Sequence, residues 1–582
     1  MLDLKITGGT IIDGTGSPGF AGDVGIRDGR IVAVGQVDEE AREEIDASGR
    51  VVSPGFIDSH THYDAQAFWE PTLSPSCYHG VTTVVGGFCG FSIAPLTAES
   101  APYIQRMLAR VEGMPLETLE VAADWSWSSF GDFLDRIEGR IGLNAGFFAG
   151  HSAIRRAVMG ERAVGEKATG EDIERMQALL DESLAAGALG FSTTVSPTHN
   201  DYEGQPVPSR WAEREEFLAL ASVVKDHEGT GLELLPNIDF PEGTPELMVD
   251  FSVAGQRPVN WNVLVVPGSP DAASMVEEKL AISDMARERG GEVIALTVPC
   301  MPKPYMSLRT GMGFEAMPGP WREVFGEPVD VRIGKLDDPE VRASLAKAIA
   351  DIPEGSAMRM FANFAGYTVV SVQAEANKQY EGRTIGEIAA EDGRAPIDLV
   401  FDIGIADGLE TVFAPCMGGE DHATYEIRGR IWKDDRTLVG ASDAGAHLDV
   451  LDTFAFSTIM LQRGVREHKV IGLEDAIHQI TSRQAAYFGL VDRGEICEGN
   501  HADIVVFDPE TVGCGPTHKR YDLPGGNEFR LYADAEGIDH VLVNGVEIVR
   551  QGEHTGKLPG QLLRSGRDTR TVPMNVMQAK AA

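Results

Sequence analysis

Positive charge is what this 582-residue chain has least of: 50 lysines and arginines face 89 aspartates and glutamates, a formal charge of −39. Binding to nucleic acid rests on neutralising phosphates with Lys and Arg, so the balance argues against that class of partner and reads instead as solubility. Cysteine is also sparse. The six (Cys77, Cys89, Cys300, Cys416, Cys497, Cys514) are scattered without a Cys-x-x-Cys spacing, which indicates neither a disulfide framework nor a structural zinc knuckle. A cysteine with a role must therefore act singly. No apolar run approaches the ~20 residues of a membrane-spanning helix. The first residues, Met-Leu-Asp-Leu-Lys-Ile-Thr, enter a strand-like pattern with neither the basic nor the apolar region of a secretory signal. A cytoplasmic protein without a membrane partner is the default expectation.

What is present is the composition of a globular enzyme, 43% hydrophobic and 24% charged. Single cores stop growing near ~250–300 residues, so more than one domain is expected. Residues 1–50 are β-patterned, with a turn at Asp28-Gly29, and the far end repeats the style in His501–Phe507 and in His540–Val549 around Asn544-Gly545. The two terminal segments could pair. Between them strand-like and helix-like runs alternate, the pattern of an α/β fold. Thr169 to Leu184, with a capping threonine, early acids and apolar positions at helical spacing, reads as an amphipathic helix.

Chemistry concentrates in four stretches. Residues 51–64 form an apolar run broken at Pro54-Gly55 and ending Asp58-Ser-His60-Thr-His62. Side chains at i and i+2 of a strand share a side, so His60 and His62 can present imidazoles to one cation. A β-branched run, Val81–Val85, leads to Cys89, either a zinc-binding thiolate or an inert small hydrophobe. Phe147 to Arg155 is an apolar run closing on His151, where a pocket role and a backbone-bonded structural role are both open. Leu438 to Asp449 closes on Asp443, either a catalytic carboxylate at a strand end or the N-cap of the next helix.

Pro54-Gly-Phe-Ile-Asp-Ser-His60-Thr-His62 resembles the first-strand signature of the amidohydrolase superfamily, metal-dependent hydrolases on a (β/α) barrel. Gly80-Val-Thr-Thr-Val-Val with Cys89-Gly90 and Ala94-Pro95, and the stretch through Gly150-His151 to Arg155, resemble the D-aminoacylase (N-acyl-D-amino-acid deacylase) group within it. The resemblance implies a (β/α)8 TIM-type barrel over residues 55–492, a small β-sandwich from residues 1–54 and 493–560, and a tail or clasp over 561–582. It implies zinc as cofactor, with His60, His62, Cys89 and Asp443 as ligands, Cys89 replacing the carbamylated lysine of other amidohydrolases and Asp443 doubling as proton shuttle. The substrate it implies is a small acylated amine or amino acid. A homo-oligomer is left open.

The chain departs from the group at the fifth and sixth strands, where two further metal histidines are expected. The runs Gly229–Asn237 and Arg257–Leu264 end in other residues, His227 sits at a helix end, and His199 is in a loop. Glu233, Asn260 and Asn262 are the candidates for orienting the substrate in their place, alongside His151 and Arg155. Three readings stay open: a single-metal N-acyl-amino-acid deacylase, a related hydrolase of another amide, lactam or ester, and a non-catalytic barrel used for binding or assembly.

Overall fold

The computed structural model describes residues 1–237, 239–311, 313–314, 317–352, 358–526 and 528–578. Two compact units result, Met1–Cys300 with Gly419–Leu448 and Thr453–Ala582, and separately Met301–Gly418 with Asp449–Asp452. The second lies inside the span expected to be barrel throughout.

The first unit is mixed α/β and is built around parallel strands: β1 (Phe56–Thr61), β2 (Val81–Gly86), β3 (Asn144–Phe147, resumed at Ala149–Gly150), β4 (Gly190–Thr194), β5 (Gly231–Leu235), β6 (Val259–Leu264), β7 (Val293–Thr297) and β8 (Thr437–Val439). Each pairs in parallel with the next. Beyond β8 the chain returns to β1, where Asp443 N donates to His60 O (3.2 Å), His62 N donates to Ala444 O (2.7 Å), and Thr61 bridges Ala444 in parallel. Such strands are covered on both faces and should be apolar throughout. Every residue of β1, β2, β4 and β7 is indeed buried.

The terminal segments do pair. One nine-stranded sheet joins Leu2–Ile11 and its neighbours, through Val51–Pro54, to Ile504–Phe507 and the hairpin Ile538–Val543/Val546–Arg550. Positive φ at Asn544 (49°) and Gly545 (76°) gives that hairpin the turn its twist favours. Val51–Pro54 runs straight into β1, and Gly55 at the junction packs so closely that a Cβ would lie 2.1 Å from Thr82 Oγ1. The sheet thus anchors the root of the strand that carries the histidines.

Helix α1 (Ala101–Val111) lies in the β2–β3 connection, α2 (His151–Met159) follows β3, and α3 (Gly170–Ala185) begins where expected, capped reciprocally by Thr169 and Asp172. The final segment is a clasp: Leu563 N donates to Ala145 O and Arg570 N to Gly489 O, both at 2.8 Å. Among the described residues, no helix is long and apolar enough to cross a membrane.

The second unit has its own core, in which Phe314, Trp321, Phe325 and Phe364 stack, beside a three-stranded antiparallel sheet. Its short helices and strands lack a strong period of their own, and for that reason it was not separable in the sequence.

Candidate metal centre

His60 and His62 stand at the C-terminal end of β1, both buried, the His60 ring stacked on Phe88 with centroids 4.7 Å apart. Two elements bring partners to them. Just past β2 the chain turns through Cys89 with φ 58°, placing its Sγ 3.6 Å from His60 Nε2. Just past β8 it turns through Asp443 with φ 52°, placing Oδ1 3.0 Å from His60 Nε2 and 3.6 Å from His62 Nε2. Left-handed conformations are uncommon outside glycine, and when held by their surroundings they mark functional sites.

The surroundings do hold both. Cys89 N donates to Glu233 Oε2 (3.0 Å) and Gly90 N to Ser192 Oγ (3.2 Å), so β4 and β5 fix the cysteine loop. Ser442 Oγ donates to Asp58 Oδ2 (2.5 Å) and to His60 O (3.2 Å), locking the Asp443 turn onto β1. Burial lifts Asp58 to about 7 against that hydrogen bond.

The donor atoms of His60, His62 and Cys89 lie within 4.8 Å of one another, the one such group among the described residues. Bonds of ~2.0–2.3 Å to a tetrahedral ion place neighbouring donors ~3.3–3.7 Å apart. The His60–Cys89 and His62–Asp443 separations fall in that range, and His60–Asp443 is slightly shorter.

Charge points the same way. Burial pushes the Cys89 thiol well up, and Glu233, Glu112 and Asp443 push it further. Burial opposes a charge on His62 too, yet Glu112, Asp443 and Asp64 raise it to about 9. Enclosure would likewise raise Asp443, but the two imidazoles hold it well below the usual carboxylate range, with a third of its side chain open to solvent. Carboxylates and a thiol outnumber the cationic groups here, and a divalent cation would supply the missing positive charge. His60 Nδ1 is buried without a hydrogen-bond partner, so Nε2 is the ring atom directed at the cluster.

A family model described as "Amidohydrolase family" matches residues 43–549, most of the chain. The chain belongs to the amidohydrolase family. Among its relatives are a D-aminoacylase of Alcaligenes xylosoxydans xylosoxydans, 28% identical over 97% of this chain and 97% of that one, and an N-acyl-D-aspartate deacylase of the same organism, 30% identical over 97% and 95%. Among solved structures, an N-acyl-D-glutamate deacylase of Bordetella bronchiseptica, complexed with zinc and a phosphonate inhibitor that mimics the reaction's tetrahedral intermediate, superposes with a TM-score of 0.63. It is 26% identical and covers 97% of this chain and 100% of that chain.

The other candidates in this amidohydrolase are all buried. His151 and Arg155 are fully buried, and their hydrogen bonds are made inside the protein: His151 to Thr193 Oγ1 and Glu216 Oε1 (2.9 Å each), Arg155 to Glu216 Oε1 (2.9 Å), Glu166 O (2.8 Å) and Ala163 O. These contacts form an ion-paired cluster tying α2 to the helix Arg214–Val224, the structural role left open for His151 and the carboxylate partner open to Arg155. Glu233 on β5 is fully buried and spans Cys89 N and Asn262 Nδ2, so its carboxylate braces the cysteine loop. Asn260 is fully buried with neither amide atom in a hydrogen bond of ordinary geometry, whereas Asn262 retains a buried, unpartnered Oδ1.

Three residues near the cluster were not among the expected site residues. Glu112, which ends α1 and is 2% exposed, has Oε2 3.7 Å from His62 Nε2 and 3.8 Å from His447 Nε2. His199, read from sequence only as a loop residue, is held down to about 3 by burial together with His447, His62 and Arg210. A histidine kept neutral beside two others is a ready hydrogen-bond partner. His447 stands four residues after Asp443 in the motif already singled out, and that adjacency was the available signal for it. Glu112 had none.

Proposed function

We propose that this amidohydrolase is a zinc-dependent N-acyl-amino-acid deacylase, its parallel strands forming a (β/α)8 barrel flanked by a β-sandwich of both termini. The observation that carries the proposal is the grouping of His60, His62 and Cys89 at the ends of β1 and β2, with Asp443 from beyond β8 beside both imidazoles, in a chain similar along nearly its whole length to D-amino-acid deacylases. Catalytic groups at the C-terminal ends of several different strands are the usual arrangement of such barrels.

Zinc, when bound, supplies Lewis-acid polarisation of the scissile carbonyl and activates water for attack. The chain's own residues do the rest. His60, His62 and Cys89 would hold the ion. Asp443, partly open to solvent and next to both imidazoles, takes a proton from the attacking water and delivers it to the leaving nitrogen. Asn262, through the Nδ2 proton not given to Glu233, and the neutral His199 are the groups able to donate to the oxyanion as it develops. The walls around β1 and β2 are buried throughout, which limits water at the reacting bond.

A second reading, hydrolysis of another amide, a lactam or an ester, draws on the absence of histidine from β5 and β6, where Glu233, Asn260 and Asn262 stand instead. One assay separates the two: zinc-loaded protein is offered N-acetyl-D-amino acids, their L-enantiomers, a lactam series and simple esters. Release of acetate from the D-series, abolished by chelation and restored by zinc, is the expected result. Turnover confined to lactams or esters favours the second reading, and no turnover anywhere, with zinc bound, refutes both.

A further inference from the structure

We propose that Glu112 is a ligand of the metal, a carboxylate brought in from the β2–β3 connection that makes up for the donors missing from β5 and β6. The inference rests on the metal-hydrolase reading above and extends it to a residue outside the strand ends.

Its position is the first argument. Glu112 caps the C-terminus of α1, and its backbone oxygen accepts a hydrogen bond from His447 N, which fixes the end of α1 against the turn that carries Asp443. The side chain is thereby directed at the histidines of β1. Its burial is the second. A carboxylate with 2% of its surface exposed must be compensated by a charge or by hydrogen bonds. The imidazole nitrogens facing it, His62 Nε2 at 3.7 Å and His447 Nε2 at 3.8 Å, lie beyond hydrogen-bonding length, where contacts fall at ~2.7–3.2 Å. Two donors at such a distance are instead spaced as neighbours around one ion. Asp443 Oδ1 stands at nearly the same distance from His62 Nε2, 3.6 Å. His62 Nε2 therefore has two carboxylates at similar distances, one from beyond β8 that also reaches His60 and one from the end of α1. Asp64, the third carboxylate whose charge acts on His62, is bonded to the backbone N–H of Ala65 (3.0 Å).

With Glu112 included, the chain would offer the ion two imidazoles, a thiolate and a carboxylate, which leaves Asp443 available to carry a proton. An aspartate committed wholly to the metal would be a poor base.

The test uses the full-length protein stripped of metal and reloaded with zinc or with cobalt(II). Zinc affinity is read by chelator competition, and the coordination sphere by the cobalt d–d bands and the sulfur-to-cobalt charge-transfer band. Glu112→Gln preserves shape and removes the charge. It should raise the zinc dissociation constant at least ~10-fold, the lower end for loss even of an outer partner. It should also shift the d–d bands while leaving the charge-transfer band from Cys89 in place. Glu112→Asp, which keeps the carboxylate, should lie between the two and serves as the second variant if Glu112→Gln melts earlier without metal. Wild-type affinity and an unchanged cobalt spectrum in both variants would overturn the inference while leaving the metal reading intact. Failure of the wild-type protein to bind either ion would overturn both.

Discussion

Asp443→Asn should retain its metal and lose turnover by ~10²–10⁴, the usual contribution of a positioned acid or base. The asparagine keeps the shape of the side chain and one oxygen able to face His60 and His62, so the ion keeps its other donors. What it cannot do is accept a proton. The turn that presents it is fixed independently of the carboxylate, by the Ser442 hydroxyl bonded to Asp58 and by Asp443 N bonded to His60 O, so the variant should fold normally. Zinc content and kcat measured on the same preparation separate the two duties of this residue. An empty site, partly rescued by added zinc, would make Asp443 mainly a ligand, and near-normal turnover with zinc bound would remove it from the chemistry.

Cys89→Ala should lower zinc affinity and turnover together, by more than the ~10–100-fold typical of losing a group one shell further out. In the metal-free protein the thiol is disfavoured as an anion by burial and by Glu233, Glu112 and Asp443, so only a cation makes a thiolate stable at this position. The left-handed backbone at Cys89 and its hydrogen bond to Glu233 are features that packing a small hydrophobe does not require. Cys300→Ala, a buried cysteine outside the cluster, should change neither quantity. Unaltered zinc and rate in Cys89→Ala would reduce the residue to packing.

Much of this was legible in the sequence because it is local. The i, i+2 spacing of His60 and His62 on a strand fixes that both face one side, and the Asn544-Gly545 turn fixes its hairpin. The shared β pattern of the two ends allows them to pair, and the amidohydrolase resemblance implies that they do. What was not legible depends on contacts between distant segments. Glu112 ends an ordinary amphipathic helix, and only the approach of that helix to the Asp443–His447 turn brings it to His62. His151 and Arg155 carried a motif likeness, yet the helix Arg214–Val224 supplies Glu216 to both and closes them into the interior. The second compact unit is bounded by the Pro- and Gly-rich stretches 299–304 and 415–419, yet the strand-helix alternation continues through it, and only the separate packing of its core sets it apart.

That His60, His62, Cys89 and Asp443 form a metal centre is tested by metal content per chain. The wild-type protein and a His60→Ala/His62→Ala double variant would be purified without a metal-affinity tag and analysed by elemental mass spectrometry. About one zinc per chain in the wild type, with near zero in the double variant, is the predicted result. Wild-type protein that holds no metal even after equilibration with zinc, or a double variant that holds as much as the wild type, would contradict it.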